Sequence, residues 1–146
     1  MSDDAVARGV GSARPQNSVD SPDDLSYGPD GLLPVVVQDA STKEVLMLAY
    51  ADAEAVRRTI ATRTTWFWSR SRRAYWNKGA SSGNIQTVVE IRYDCDADAL
   101  LVLVDPAGPA CHTGERSCFF RSLESSDQRR DDRRDLRRDR LDDRRD

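Results

Sequence analysis

The cysteines constrain this chain more than any other feature of its sequence. The 146 residues contain only Cys95, Cys111 and Cys118, and the single histidine, His112, follows the second of them. Three soft ligands without a fourth cysteine are typical of a catalytic zinc site, which keeps one coordination position open for water, whereas structural zinc sites normally use four protein ligands. The sixteen-residue spacing between Cys95 and Cys111 leaves room for a strand, a turn and a loop to bring the thiols to one ion.

Two other uses of the thiols remain open. They could form one disulfide and leave one free thiol, or all three could be buried as small apolar side chains. The first residues are acidic and no apolar segment of a signal peptide follows them, so we expect a cytoplasmic, reducing compartment in which disulfides are rare. Two of the cysteines stand among polar residues and glycine, which disfavours a core position. Metal ligation is therefore the favoured interpretation.

Three carboxylates, Asp94, Asp96 and Asp98, alternate with other residues around Cys95. In an extended segment successive side chains point to opposite faces, so we expect the carboxylates on one face and Cys95 on the other. Carboxylate oxygens suit Mg²⁺ rather than Zn²⁺. A calcium loop is disfavoured because its sixth position requires glycine and this chain has Ala99 there. The alternative is an acidic strand end that is merely exposed to solvent.

Composition limits the partners and the number of domains. Asp and Glu outnumber Lys and Arg by 25 to 22, so the chain has no general attraction to nucleic acid. No run of about 18 apolar residues is present, and we expect no membrane partner. Residues 1–24 are predicted as a disordered leader, residues 25–124 as one folded domain, and residues 125–146 as an Arg/Asp-rich low-complexity tail. Interleaved aspartates repel phosphates, which argues against an RNA-binding tail.

The hydrophobic pattern predicts strands separated by short links. Strands are expected at residues 32–39, 45–50, 64–69, 85–93 and 100–104. The first two are expected to pair as a hairpin across the turn at 39–44. One helix, capped by Asp52, is predicted over residues 53–62, with Val56 and Ile60 on its apolar face. The fold class expected is α+β, with a mainly antiparallel, curved sheet and one or two helices.

A segment rich in Gly, Ser and Asn lies at residues 76–86. Its backbone N–H groups can approach an anion closely, and Lys78 adds a positive charge. Just upstream, the guanidinium groups of Arg70 and Arg72 can form paired hydrogen bonds with a phosphate. The candidate substrate contacts are Arg70, Arg72, Trp76, Lys78, Gly79, Ser82, Gly83, Asn84 and Gln86. A segment of this composition is also typical of an ordinary flexible loop.

Taken together, these motifs resemble phosphoribosyl-AMP cyclohydrolase, a family of histidine biosynthesis. The matching motifs are VVVQDASTKEVLMLAY, FWSRSRRAYWNKGASSGN followed by Gln86, DCDADALL, and GPACHTGERSCFF. They cover most of residues 32–119, and Ala80 departs from them because the family usually has Glu there. The resemblance implies hydrolytic opening of the adenine ring of phosphoribosyl-AMP at the N1–C6 bond.

The resemblance also implies the cofactors and the assembly. It assigns one Zn²⁺ per subunit to Cys95, Cys111 and Cys118, and one Mg²⁺ per subunit to the three aspartates. It implies an interwoven homodimer in which Cys95 comes from one subunit and the other two cysteines from its partner. His112 is the candidate catalytic residue, able to move a proton or orient water. The expected partners are a second copy of the chain and a small phosphorylated nucleotide, with neither nucleic acid nor membrane.

Two other functions fit parts of the pattern. A zinc-dependent purine deaminase-like hydrolase would also attack C6 of a purine, but its His-x-Glu and Pro-Cys-x-x-Cys signatures are absent from the sequence. A zinc-stabilised RNA-binding module would use the many arginines. Three zinc ligands and a net charge of −3 argue against that module.

Overall fold

A computed structural model describes residues 18–124 of the chain. Residues 1–17 of the predicted leader and the whole predicted tail, residues 125–146, lie outside the described residues. Within that range the elements are a 3₁₀ helix Pro22–Asp24, β1 Leu33–Asp39, β2 Val45–Ala51, α1 Ala53–Thr62, β3 Trp66–Ser69, β4 Ala74–Asn77, β5 Gln86–Tyr93 and β6 Leu100–Pro106. The predicted α+β class is confirmed.

A four-stranded sheet in the order β2-β1-β6-β5 forms the centre of the fold. β1 and β2 form the predicted antiparallel hairpin, with Leu33 opposite Ala51. β5 and β6 are also antiparallel, but β1 and β6 run parallel, with Val35 opposite Leu100. The sheet is thus mainly antiparallel, as predicted, with one parallel pair at its centre. A parallel pair needs a long connection, and here the chain passes through α1, β3, β4 and β5 before β6 returns beside β1.

The core lies where apolar residues of the sheet meet α1 and β3. Along β1, buried and half-buried residues alternate, as expected when one face of a strand packs more tightly than the other. Phe67 of β3 is only 1% exposed and packs into this core. The other large side chains that are almost completely buried are Leu33, Leu46, Gln86, Val37, Val102, Val104 and Thr65.

Helix α1 begins as predicted, at Asp52. The Asp52 carboxylate accepts the N–H of Ala55 at 2.8 Å, which caps the helix. The helix ends at Arg63, whose φ of 54° is left-handed. The buried residues of the helix are Ala55, Val56 and Thr59.

Ile60 shares one face of α1 with Val56, as predicted, and both line the same open cleft, but Ile60 is 44% exposed. Thr59 takes the position against the sheet instead. Its hydroxyl accepts the N–H of Trp66 at 3.0 Å, so a polar contact joins the helix to the start of β3. A periodic count of apolar residues does not detect this contact.

β3 and β4 form a separate two-stranded antiparallel hairpin, with Ser69 opposite Ala74. The sequence predicted β3, but it placed Trp76 in a loop, whereas the structure places it in β4. The short aromatic run was missed because arginines precede it and Lys78 follows it closely. No helix in residues 18–124 has both the length and the apolar character needed to cross a membrane.

The last part of the predicted leader contacts the folded domain. The N–H of Val19 donates to the hydroxyl of Tyr93 at 3.2 Å. The guanidinium of Arg57 in α1 lies 2.7 Å from the carboxylate of Asp23. Just after the leader, the N–H of Ser26 donates to a backbone carbonyl of the β5–β6 turn at 2.7 Å. Residues 18–24 therefore lie against both the helix and the sheet.

Candidate active site

Two of the three cysteines lie on a compact loop that follows β6. The N–H of Ala110 donates to the carbonyl of Arg116 at 3.1 Å, which closes the loop. At its tip Gly114 has a φ of +89°, a conformation that glycine adopts without strain. The N–H of Cys118 then donates to the carbonyl of Leu46 at 2.7 Å and attaches the end of the loop to β2. This cysteine loop, residues 110–118, is thereby held against the sheet.

The loop carries the thiols of Cys111 and Cys118 close enough for each to influence the pKa of the other. The hydroxyl of Thr113 lies 3.0 Å from the sulfur of Cys111, and this hydrogen bond is the main reason that the pKa of Cys111 is lowered. Burial is the main reason that the pKa of Cys118 is raised, and the neighbouring Cys111 adds to it. The two thiols therefore differ in acidity, and Cys111 is the one that ionises first.

Lys78 lies beside this thiol pair. Its ammonium donates a hydrogen bond to the carbonyl of Ala110 and lies 5.4 Å from the centre of the Trp76 ring. Its positive charge acts on both thiols and favours their ionised forms. The sequence predicted Lys78 as a phosphate contact, and the structure brings it to the cysteine loop.

A clamp that sequence reasoning missed attaches the cysteine loop to the β1–β2 turn. The guanidinium of Arg116 lies 2.5 Å from the carboxylate of Asp39 and 2.7 Å from that of Glu44. Burial alone would raise the pKa of Asp39. The backbone N–H groups of Ser41 and Thr42, together with Arg116, outweigh burial and hold that pKa below its usual value. Asp39 and Arg116 are 77 residues apart, so no local pattern could have paired them.

Cys95 lies in the turn between β5 and β6, where the prediction of an extended segment is wrong. The N–H of Ala97 donates to the carbonyl of Asp94 at 3.0 Å, and Ala97 has a left-handed φ of 57°. The N–H of Asp98 donates to the Asp94 carboxylate, also at 3.0 Å. The chain turns here because β5 and β6 are antiparallel neighbours and the link between them is short. The carboxylates are therefore arranged around a turn and do not share one face of a strand.

The three carboxylates in this turn are exposed, and two of them interact. A hydrogen bond between the carboxyl groups of Asp94 and Asp98 is the main cause of the raised pKa of Asp98. Burial by itself would raise the pKa of Asp94, but hydrogen bonds from Asp98 and from the N–H of Ala99 hold it below its usual value. The pair therefore retains a proton on Asp98 more readily than an isolated aspartate would.

The cysteines lie at opposite ends of β6 within one chain. Cys95 precedes β6 and Cys111 follows it, and the strand has seven residues. At about 3.3 Å per residue the strand spans roughly 20 Å. Among residues 18–124 no group of three or more His, Cys, Asp or Glu side chains is placed to hold a metal ion. Within one chain, the described residues therefore do not bring the three thiols together, and the zinc site shared between two subunits stays a prediction.

The predicted phosphate-binding arginines are separated from each other. Arg70 lies 4.0 Å from the centre of the Tyr50 ring and lines an open cleft of about 540 Å³ together with Trp68 and Arg73. Arg72 instead lies near Trp76, at 5.8 Å from the ring centre, and its Nε donates to the hydroxyl of Ser69 at 3.4 Å. Arg70 therefore shares the cleft with Arg73, a residue that was not among the candidate substrate contacts.

The cleft lies at the same end of the sheet as Cys95. It is also lined by Leu32 and Asp52, which immediately precede β1 and follow β2. At that end of the sheet Val35 of β1 is level with Leu100, the first residue of β6 after the turn that carries Cys95. The structure therefore places the cleft and Cys95 in one region and the cysteine loop in another.

The rest of the Gly- and Ser-rich segment forms a tight loop. Gly79 has a φ of +88°, and a Cβ there would lie 2.3 Å from the backbone nitrogen of Ile85, so only glycine fits. The N–H of Gly83 donates to the carbonyl of Gly79 at 2.8 Å, and that of Asn84 donates to the hydroxyl of Ser82 at 3.2 Å. These contacts place the predicted residues in one loop after β4.

Two other predicted residues have contrasting positions. Gln86 is only 1% exposed, its side-chain oxygen accepts from the hydroxyl of Thr65 at 2.9 Å, and its amide nitrogen lies 3.5 Å from the sulfur of Met47. Its amide therefore stabilises the core and presents no surface to a ligand. His112, by contrast, is exposed on the cysteine loop.

Comparisons with known proteins identify one family. The family model described as phosphoribosyl-AMP cyclohydrolase matches residues 47–120. The phosphoribosyl-AMP cyclohydrolase of Lacticaseibacillus casei is 66% identical over 92 residues, which are 63% of this chain and 84% of that protein. The one from Archaeoglobus fulgidus is 58% identical over 106 residues, 73% of this chain and 98% of that protein. The histidine biosynthesis bifunctional protein HisIE of Bacillus subtilis is 62% identical over 97 residues, 66% of this chain but only 46% of that longer protein.

Proposed function

The chain belongs to the phosphoribosyl-AMP cyclohydrolase family, and from this membership we propose that its reaction takes place at metal sites shared between two copies of the chain. The reaction is the hydrolytic opening of the adenine ring of phosphoribosyl-AMP, a step of histidine biosynthesis. Water adds to C6 of the purine, which is electrophilic because the ribosyl group on N1 makes the ring cationic. Breakage of the N1–C6 bond then leaves a formamidine and a carboxamide.

The placement of Cys111 and Cys118 on one compact, hydrogen-bonded loop is the observation that carries the proposal. The cysteine loop presents two soft donors side by side, one with a lowered pKa and both under the influence of Lys78. This donor pair fits zinc, which prefers thiolate ligands. A zinc ion bound there supplies Lewis acidity that activates water near neutral pH. His112, exposed beside the pair, is proposed to hold or move a proton at the reacting atoms.

The position of Cys95 supports a homodimer. Cys95 is exposed and precedes β6, whereas the cysteine loop follows it, so the third zinc ligand is proposed to come from a second copy. In a two-fold dimer the same exchange occurs twice, which gives two equivalent sites and one Zn²⁺ per subunit. This exchange of ligands makes the dimer interwoven.

The aspartate turn is proposed as the Mg²⁺ site. Asp94, Asp96 and Asp98 are exposed within five residues of chain. Mg²⁺ prefers carboxylate oxygens and keeps several waters, so one or two of these side chains suffice to bind it. The same turn carries Cys95, so both metals would lie close together in the shared site.

The cleft beside Arg70 is proposed to bind a phosphate of the nucleotide. Guanidinium groups bind phosphate with paired hydrogen bonds, and Arg70, Arg73 and the aromatic ring of Trp68 line the same cleft. Because the cleft lies at the Cys95 end of the sheet, it would face the cysteine loop of the partner subunit across the shared site. The expected cytoplasmic location stays a prediction.

Purified full-length protein incubated with phosphoribosyl-AMP tests the function. We expect ring opening, followed by ultraviolet absorbance, without release of ammonia. Dialysis against a strong chelator is expected to abolish turnover, and full recovery is expected to require Zn²⁺ and Mg²⁺ together. Ammonia release would indicate a deaminase, and full turnover in protein verified as zinc-free would refute the proposed metal site.

A further inference from the structure

We propose that Lys78 is a positioning residue of the zinc site and acts on the cysteine ligands, not on a substrate phosphate. Its ammonium would hold the start of the cysteine loop in place and offset the negative charge of the Cys111–Cys118 thiolate pair. The inference rests on the proposed zinc site, and the experiment below separates the two.

The backbone of Lys78 is firmly placed at the end of β4. Its N–H donates to the carbonyl of Thr65 at 3.0 Å, directly across the open end of the same hairpin. The next residue, Gly79, passes so close to Ile85 that no side chain fits there. These contacts fix the direction in which the Lys78 side chain leaves the strand.

The side chain of Lys78 is half-buried between an aromatic ring and the cysteine loop. Its nitrogen lies 5.4 Å from the centre of the Trp76 ring, within the range in which a cation is attracted to the ring face. Beyond the ring it reaches the carbonyl of Ala110, a residue that is itself buried. A hydrogen bond from a cation to a carbonyl is stronger than one between neutral groups.

The hydrogen bond acts on the first cysteine of the loop through the backbone. The carbonyl of Ala110 belongs to the peptide group that joins it to Cys111, so holding this carbonyl holds the Cα of Cys111. The loop is also closed by the Ala110–Arg116 hydrogen bond and attached to β2 at Cys118. Lys78 is therefore the contact that joins the β3–β4 hairpin to the thiol pair.

The charge of Lys78 adds a second effect. Two thiolates bound to one ion repel each other, and the ammonium of Lys78, which is hydrogen-bonded to the residue before Cys111, opposes that repulsion. Because Lys78 and Cys111 are only partly exposed, salt screens this attraction less than it screens surface ion pairs. Removing a residue that contacts a metal ligand, and not the metal itself, typically changes metal affinity by about 10–100-fold.

Zinc affinity of the full-length protein tests the proposal without using turnover. Zinc-loaded wild type, Lys78→Met and Lys78→Arg are titrated with a chromogenic chelator, and the apparent zinc affinity is obtained from the competition. We expect Lys78→Met to weaken zinc binding by about 10-fold or more, and Lys78→Arg to retain most of the affinity because it keeps the charge. Lys43→Met is the matched control, since Lys43 is the other lysine of the sequence and is exposed in the β1–β2 turn.

The steady-state constants for phosphoribosyl-AMP separate the two roles of Lys78. If Lys78→Met binds zinc as tightly as wild type and only raises KM, Lys78 is a substrate contact and the inference is wrong. If wild type itself binds no zinc, the proposed metal site fails before Lys78 is tested. Should Lys78→Met not fold, Lys78→Gln keeps a donor for Ala110 without the charge, and wild-type zinc affinity in that variant would overturn the charge effect.

Discussion

At the scale of single residues, Asp39 connects two functional segments that are distant in the sequence. Its carboxylate is 4% exposed and accepts the N–H groups of Ser41 at 2.8 Å and Thr42 at 3.2 Å. The same carboxylate binds Arg116 of the cysteine loop. One buried anion therefore shapes the β1–β2 turn and holds the loop that carries the thiol pair.

Replacing Asp39 by Asn is expected to lower the free energy of unfolding at pH 7 by about 1–2 kcal/mol, because hydrogen bonds to a charged group are stronger than those to an amide. The folded-state pKa of Asp39 is lowered. Its contribution is therefore fully present above the unfolded pKa of about 3.9 and is lost as the pH falls through the folded value. Urea unfolding of wild type and variant at pH 7 and in steps below pH 4 should show the difference shrinking.

Asp105→Asn is the control for this measurement, because Asp105 is an exposed carboxylate on β6. We expect it to change the unfolding free energy by less than about 0.5 kcal/mol. If Asp39→Asn has an equally small effect, Asp39 is not the anchor described here.

At the scale of elements, the N-terminus of α1 is joined to the β3–β4 hairpin by one aspartate. Asp52 caps the helix with one carboxylate oxygen and accepts the hydroxyl of Tyr75 in β4 with the other, at 2.7 Å. The guanidinium of Arg58 lies over the Tyr75 ring, 4.2 Å from its centre. The hairpin that carries Arg70 at its turn and leads into Lys78 is thus held by the helix.

Tyr75→Phe is expected to lower the free energy of unfolding by about 0.5–1.5 kcal/mol near neutral pH, since it removes the hydrogen bond to Asp52 and leaves that carboxylate with one partner fewer. This hydrogen bond is the main cause that raises the pKa of Tyr75 to about 12. The contribution is fully present below the unfolded pKa of about 10 and is lost as the pH rises through the folded value.

Two measurements check this prediction. Urea unfolding should show the difference between wild type and Tyr75→Phe narrowing above pH 10. The tyrosinate absorbance of the folded protein, followed as the pH is raised, should lack one ionisation near pH 12 in the variant. The ionisation of Tyr27 should remain, because burial raises the pKa of that residue to about 12 as well. If the ionisation that the variant loses lies near pH 10, the ordinary range for tyrosine, Tyr75 is not held by Asp52 and the link between hairpin and helix is contradicted.

At the scale of the whole molecule, the folded chain carries both parts of its proposed site at a distance from each other. The aspartate turn with Cys95 lies at one end of β6 and the cysteine loop at the other. A single chain therefore offers two soft ligands at one place and one at another. The proposed two-fold dimer brings these incomplete halves together as two complete sites.

Mixing two inactive variants tests this arrangement. Cys95→Ala and Cys111→Ala homodimers should each be inactive, because every site lacks a ligand. In a mixed dimer one site receives both substitutions and the other receives none. Random exchange of equal amounts makes half of the dimers mixed, so roughly a quarter of wild-type activity is expected to return.

A mixture of Cys111→Ala with Cys118→Ala is the matched control for this experiment. In the proposed dimer, Cys111 and Cys118 of each site come from the same copy, so every site in the mixed dimer would still lack one of them and no activity should return. Equal recovery in both mixtures, or none in either after subunit exchange is verified by mass, would contradict the shared site.

The sequence by itself determined the elements and their local signals. Continuous apolar runs located the β1–β2 hairpin and β6, and Asp52 marked the start of α1, because these features depend on near neighbours in the chain. The motifs around Cys95 and Cys111 were also sufficient to indicate the family. The predicted leader to residue 17 and the tail from residue 125 stay untested.

Only the tertiary structure decided which distant residues meet. The parallel pairing of β1 with β6, the Arg116–Asp39 clamp and the contact of Lys78 with Ala110 join segments separated by many residues, and no local pattern encodes such pairings. The segment around Asp94, Asp96 and Asp98 was predicted to be extended because the sequence does not reveal that β5 and β6 are antiparallel neighbours. That pairing requires the chain to reverse direction, and it does so at Ala97. Cys95 lies away from Cys111 for a related reason: β6 runs between them, and a strand keeps its ends apart because its backbone is extended.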